Sequence, residues 1–226
     1  MNGTRNHGLV LDGNQPLEQL YGYSDADWGG NVDDRKSKSG YCIFWNGALV
    51  SWKSTYQQSV ALSTTEAEYV AACTTGRELA WLRKLLNELG YHQTMSKILE
   101  DNQGTIAISN SAIESEKSKH IDICYHWLRD QIKEKKLKME YCPTSLMTAD
   151  TLTKSLVKDK FIEHRNGLQV YDTMDVLINW PVVRGGVLEY SLQANYMASC
   201  LSTKTRDNSS PSTSTVTWNP KLVDYK

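Results

Sequence analysis

Four carboxylates stand where a folded core could bring them together: Asp25, Glu68, Asp101 and Asp150. Asp25 lies in the run Tyr21-Gly22-Tyr23-Ser24-Asp25-Ala26-Asp27-Trp28, which reads as a strand. Period-two spacing puts Tyr21, Tyr23 and Asp25 on one face of it. A charge beside two large aromatics is costly to bury unless something compensates, and a metal ion is one common answer. The spacing predicts Glu68 one turn into a long helix, Asp101 at the end of a strand just before a helix start, and Asp150 early in a last helix. Carboxylates arriving from two strands and two helix starts could hold a pair of hard divalent cations. Magnesium prefers such oxygen ligands and keeps waters for a phosphate substrate. Two ions about 4 Å apart stabilise both the attacking and the leaving oxygen in phosphodiester cleavage.

Each acid also has a plainer reading. Asp25 could be a solvated turn acid. Glu68 and Asp150 could be first-turn acids favoured by a helix dipole. Asp101 could be the N-cap of the helix over 102–110. Two neighbours are decoys: Glu66 is explained by capping, and Asp27 lies beyond the expected strand end. The combination says more than any one member.

The elements that must position these acids are legible in the pattern. Residues 19–25 form a first strand, followed by a polar loop with the cluster Asp33-Asp34-Arg35-Lys36-Ser37-Lys38. Residues 40–45 are aromatic and β-branched, Asn46-Gly47 is a hairpin signal, and 48–53 return. Ser63-Thr64-Thr65-Glu66 fits a capping box. The helix behind it carries Leu82, Leu85, Leu86 and Leu89 at helical spacing and stops at Gly90. It would be roughly 40 Å long unless Gly76 breaks it. A strand over 97–101, a helix over 102–110, a helix through about 134, a strand over 137–142 and a last helix over 145–156 complete a β-β-β-α-β-α-α-β-α order. That order predicts an α/β fold, a five-stranded mixed sheet with three antiparallel strands first, flanked by helices. Residues 8–11 form a possible short strand, and Trp28, Trp45, Trp52 and Trp81 are assigned to the core.

Composition bounds the rest. With 25 Lys+Arg against 26 Asp+Glu, net charge neither requires nor excludes a nucleic acid. The five cysteines, at 42, 73, 124, 142 and 200, are odd in number and lack CxxC spacing. They read as reduced thiols, not a disulfide frame or zinc site. The polar N-terminus and the absence of a run of roughly 20 apolar residues lead us to expect an intracellular, cytoplasmic or nuclear protein, neither secreted nor membrane-bound. After about residue 170 the periodicity fades, and 208–215 is a Ser/Thr/Pro run.

Several of these stretches, in unbroken order over about residues 8–168, resemble the ribonuclease H domain of copia-type LTR retrotransposon Pol polyproteins. They are Tyr23-Ser24-Asp25-Ala26-Asp27-Trp28, the run from Asp34 to Tyr41, Ala61-Leu62-Ser63-Thr64-Thr65-Glu66-Ala67-Glu68-Tyr69 and Trp81-Leu82-Arg83. Glu100-Asp101-Asn102-Gln103, Lys119-His120-Ile121-Asp122-Ile123 with Tyr125-His126, and Ala149-Asp150-Thr151-Leu152-Thr153-Lys154 complete the set. The resemblance implies a ribonuclease H-like fold and hydrolysis of the RNA strand of an RNA–DNA hybrid with two Mg²⁺ ions, Mn²⁺ being an alternative. It carries the family's acids onto Asp25, Glu68, Asp101 and Asp150, as catalytic residues and metal ligands. Asp25 would bridge both ions, Glu68 and Asp101 would bind one, and Asp150 the other, so no nucleophilic side chain is required.

The resemblance further implies a reverse transcriptase domain in the parent polyprotein. Residues 1–18 would be the remnant of the linker from it, 19–168 the ribonuclease H-like domain, and 169–226 a C-terminal appendage, partly disordered. Arg35, Lys36 and Lys38 form one basic patch that could meet phosphates, and Lys117, Lys119 and Arg129 a second. No histidine occurs over 143–148, where many relatives have one; His120 and His126 are the nearest by type. The alternative function is a catalytically idle, domesticated or relic domain of the same fold that binds nucleic acid without cutting it. A DNA-cutting nuclease of that fold is a further alternative.

Overall fold

The computed structural model describes residues 4–11, 20–111 and 119–173, with 119–125 described by backbone alone; all belong to one compact unit. Lys117, Cys200, the side chain of Cys124 and residues 174–226 of the appendage expected over 169–226 lie outside what is described. The side chains of Lys119 and His120 do too.

A five-stranded sheet forms the centre. Its strands are β2 (Leu20–Asp27), β3 (Lys38–Trp45), β4 (Ala48–Tyr56), β5 (Ser96–Glu100) and β6 (Leu137–Tyr141). A separate short strand β1 (His7–Leu9) precedes them in the chain. The order across the sheet is β4-β3-β2-β5-β6. The β2–β3 and β3–β4 pairs are antiparallel, and β2–β5 and β5–β6 are parallel. This is the mixed sheet expected from the pattern, with the antiparallel trio first. The β3–β4 hairpin turns at Asn46 and Gly47, both at positive φ (53° and 78°), the backbone that a two-residue hairpin matched to strand twist requires.

Helix α1 (Thr64–Glu88) runs unbroken for 25 residues. Ser63 is its N-cap, and the Ser63 hydroxyl accepts from the Glu66 N–H at 3.2 Å. Glu66 reaches one residue further back than a capping box predicts, its Oε2 accepting from the Leu62 N–H at 3.0 Å. Gly76 does not break the helix; it lets the helix come close. A Cβ there would sit 3.1–3.2 Å from Leu137, Leu128 and Trp127 side-chain atoms. Of the leucine series, Leu82 and Leu86 are buried with Leu79, Tyr69 and Ile98, while Leu85 and Leu89 face solvent.

The sheet separates two apolar layers. On one face Leu20, Ile43 and Ile98 pack against α1 and against Leu128 of α3 (Lys119–Lys133). On the other, Tyr21, Tyr23, Cys42 and Phe44 pack with Met147, Ala149 and Leu152. Tyr21 stacks on Phe44 with centroids 5.4 Å apart. Asp25 follows Tyr21 and Tyr23 on that second face, as the period-two reading predicts.

Two expectations are corrected. The last helix expected over 145–156 is two pieces, a 3₁₀ turn at Thr144–Leu146 and a four-residue helix α4 (Asp150–Thr153) that ends at an extended Lys154, and a further helix α5 (Lys158–Gly167) follows beyond the expected span. Thr151 turns its hydroxyl onto the carbonyl of Thr148, a local bond that competes with helix propagation. The tryptophans also differ. Trp45 packs against the core, but Trp28, Trp52 and Trp81 are about half exposed. Trp52 points outward from edge strand β4, Trp81 sits on α1 away from the sheet, and Trp28 lies just past the end of β2.

Helix α2 (Gln103–Asn110) follows β5 directly. The strand β1 pairs antiparallel with β7 (Val170–Asp172) in a small second sheet. The cysteines at 42, 73 and 142 are buried and form no disulfide among the described residues. Among the described residues, no helix is long and apolar enough to cross a membrane.

Candidate metal centre

Strand β2 delivers Asp25 fully buried, opposite Gly40 of β3. Helix α1 delivers Glu68, buried one turn after the Ser63 cap. Strand β5 ends at Glu100, and Asp101 follows it, partly exposed. Asp101 is not the N-cap of α2. Asn102 takes that role, accepting from the Thr105 N–H at 3.0 Å, which leaves the Asp101 carboxylate to face the cluster. One carboxylate oxygen each from Asp25, Glu68 and Asp101 lies within 4.8 Å of the others. The parallel β2–β5 pairing makes this possible, because it aligns the C-terminal ends of the two strands.

Asp150, the first residue of α4, approaches Asp25 from the other side. Between them lies Lys154. Its Nζ is 3.3 Å from Asp25 Oδ1 and 3.1 Å from Asp150 Oδ1. Thr153 donates its hydroxyl to the second Asp25 oxygen. The structure thus brings all four sequence-predicted acids to one end of the sheet, and Glu66 is turned away to the helix start.

Three residues that the sequence reading did not single out complete the centre. Glu100 is fully buried; its Oε1 accepts from the Asn102 N–H at 3.2 Å, while Oε2 has no hydrogen-bond partner. Its signal was the alternation in β5: Glu100 falls on the same face as buried Ile98, toward α1. Lys154 stands four residues after Asp150, a helical ion-pair spacing that was readable. Thr144 donates to Asp101 Oδ2 at 2.7 Å from 43 residues away, a contact with no local signature.

The electrostatics of the two sides differ. Burial pushes the Glu68 carboxyl up to about 11, with the charges of Glu100, Asp25 and Asp101 adding to the shift. Burial also raises Glu100 well above the ordinary carboxylate range, and Asp101 and Asp25 push the same way. Asp25 rises only to about 6: burial lifts it, and Lys154 and Thr153 pull it back. Burial works against the Lys154 charge, but Asp25 and Asp150 outweigh it, so the ammonium is held above its usual range. Glu68 Oε2, like Glu100 Oε2, accepts no hydrogen bond. Buried carboxylate oxygens that face one another without donors fit a hard divalent cation, which prefers oxygen ligands.

The basic patches are less compact. Arg35, Lys36 and Lys38 lie in the β2–β3 connection and at the start of β3, at the Asp25 end of the sheet. Lys36 pairs with Asp34 at 2.8 Å, and the Lys38 ammonium stands 4.9 Å over the Tyr56 ring. In the second patch, Arg129 donates through Nε to the Ile108 carbonyl at 3.2 Å. His126 is exposed on α3.

Fold and centre together define the class: a ribonuclease H-like α/β domain with an acidic cluster at the end of its middle strand. No family model matches the chain. It is 42% identical over 161 residues to the retrovirus-related Pol polyprotein from transposon TNT 1-94 of Nicotiana tabacum, covering 71% of this chain and 12% of that one. It is 38% identical over 160 residues to the polyprotein from transposon RE1 of Arabidopsis thaliana, covering 70% of this chain and 11% of that one. Among solved structures, LC11-RNase H1 in complex with an RNA/DNA hybrid is similar, with 15% identity and a TM-score of 0.45. That match covers 60% of this chain and 94% of the other. Its homologues are retrovirus-related Pol polyproteins from transposons, and it spans a small part of the length of the relatives it matches.

Proposed function

We propose that this chain hydrolyses the RNA strand of RNA–DNA hybrids by metal-dependent phosphodiester cleavage. The observation that carries the reading is the convergence of Asp25, Glu68 and Asp101 within 4.8 Å at the end of the central strand. These three would hold a divalent ion, Mg²⁺ or Mn²⁺. Such an ion, when bound, supplies Lewis-acid stabilisation of the phosphoryl oxygens.

The side chains of this chain do the positioning. Asp25 and Glu68 are buried, on a strand and on a helix, so their carboxylates are fixed before substrate arrives, and little reorganisation remains for the reaction. Thr144 fixes the Asp101 carboxylate, and Thr153 fixes that of Asp25. Arg35, Lys36 and Lys38 approach from the same end of the sheet and would meet backbone phosphates, with Lys117, Lys119 and Arg129 as a second contact line. Selectivity for the RNA strand would rest on contacts to its 2′-hydroxyls. In the parent polyprotein a reverse transcriptase domain would supply the hybrid.

The test is cleavage of a labelled RNA–DNA hybrid by the purified chain in Mg²⁺ and in EDTA. Shortened RNA in Mg²⁺ alone, with the DNA strand intact, is the expected result. A folded chain that binds the hybrid and leaves the RNA uncut in both buffers would establish the idle-domain reading instead. Cutting of the DNA strand would reassign the substrate.

A further inference from the structure

Asp25 and Asp150 are the pair to which the family resemblance assigns a second ion. In this structure the two oxygens that face each other there, Asp25 Oδ1 and Asp150 Oδ1, already share a cation: the Lys154 ammonium, at 3.3 and 3.1 Å. Neither oxygen has a hydrogen-bond partner of another kind. Both carboxylates are at least 95% buried, so the ammonium is the charge that makes their proximity tolerable.

The placement is built by the backbone. The short helix α4 ends at Thr153, and Lys154 leaves it in extended conformation (φ −131°, ψ 157°) while its N–H still bonds the Asp150 carbonyl. That geometry brings the side chain back over the first turn of α4 and down onto β2. A magnesium ion ligated by the same two oxygens would lie roughly 2.1 Å from each. It would share the pocket with an ammonium about 3 Å from both, and two cations in that volume repel strongly. Among the described residues, Lys154 pairs with Asp25 and Asp150 and with neither Glu68 nor Asp101, on the other side of the same centre.

We propose that Lys154 is a resident cation that takes the place of the second divalent ion, so that the centre binds one divalent ion, held by Asp25, Glu68 and Asp101. The proposal rests on the metal-dependent reading above and deepens it. The consequence is a mononuclear site in which Lys154, a positioning residue, holds Asp25 and Asp150 in place for that ion.

The experiment is a Mn²⁺ titration of the full chain, followed by calorimetry and electron paramagnetic resonance. Wild type is expected to bind one Mn²⁺ with an uncoupled spectrum. Lys154→Met is expected to bind two, with the spin-coupled signature of a manganese pair. Lys154→Arg should stay at one. Should Lys154→Met not fold, reductive methylation of the wild type, read site by site by mass spectrometry, replaces it. Lys154 should stay slow relative to exposed Lys84 from zero to about 10 mM Mg²⁺, a range that saturates ordinary magnesium sites. Two ions in the wild type, one ion in Lys154→Met, or a Lys154 reactivity that rises with Mg²⁺ overturns the proposal and leaves the metal-dependent reading standing. A wild type that binds no ion and cuts no hybrid overturns both.

Discussion

The two sides of the acidic centre solve the same problem in different ways. On one side, Asp25 and Asp150 are brought together around the Lys154 ammonium, with the Thr153 hydroxyl on the remaining Asp25 oxygen. That side is complete as folded. On the other side Asp25, Glu68, Glu100 and Asp101 converge with few donors, and burial drives the Glu68 and Glu100 carboxyls far above their ordinary range. That side is complete only with a proton or a cation added. The fold sets one ammonium between two carboxylates in the first half and leaves the second half with no paired cation among the described residues.

The largest test of this contrast is Asp25→Asn, since Asp25 belongs to both halves. Cleavage of the hybrid should fall by more than about 10²-fold, the scale of losing a central electrostatic contact in an active site. Melting in EDTA should be unchanged or slightly raised, because one of several mutually repelling carboxylates is gone. A destabilised variant that still cuts would make Asp25 a structural acid.

Acidity separates the halves next. Asp25 and Glu68 both have folded pKa values above those of the unfolded chain, about 6 and about 11. The folded chain therefore holds these protons more tightly than the unfolded chain. The associated stability is full at pH below about 4 and is lost as pH rises through 6 toward 11. In EDTA the melting temperature should fall between about pH 5 and pH 8, and saturating Mg²⁺ should flatten that fall. A metal-free protein that gains stability over this range would contradict the uncompensated half.

Gly40→Ala acts on the compensated half alone. A Cβ at Gly40 would meet Thr153 Cγ2 at 2.7 Å and Leu152 Cβ at 2.9 Å, so α4 must move off β3. Overpacking of this kind costs about 1–3 kcal/mol, measurable by denaturant unfolding. Thr144→Val touches the other half, removing the donor to Asp101 Oδ2. Divalent-ion affinity should drop about tenfold by calorimetry, as for other groups that orient a metal ligand, with little change in melting. The smallest effect belongs to Glu66→Ala. It removes an acceptor at the start of α1 and should cost about 1 kcal/mol or less while sparing cleavage. A large loss of activity there would mean that Glu66, not only Glu68, serves the centre.

What the sequence determined by itself is whatever local physics fixes. The alternation of Tyr21, Tyr23 and Asp25 set their shared face, Asn46-Gly47 set the hairpin, Ser63 set the start of α1, and the order of elements set the mixed sheet. The four acids were legible because each sits at an element end, where its direction follows from the element. The tertiary structure decided the rest. Gly76 reads as a helix breaker until Leu128 and Leu137 are seen packed against it. The stretch from Ser145 to Leu156 has helical composition, yet Thr151 spends its hydroxyl on the local backbone, Thr153 turns its own to Asp25, and the helix stops early. Glu100 is one acid among many in the sequence and becomes part of the centre only because the parallel pairing of β5 with β2 buries it beside Glu68. Lys154 and Asp150 are four residues apart, but the partner that gives the pair its meaning, Asp25, lies more than a hundred residues away, and only folding measures that distance.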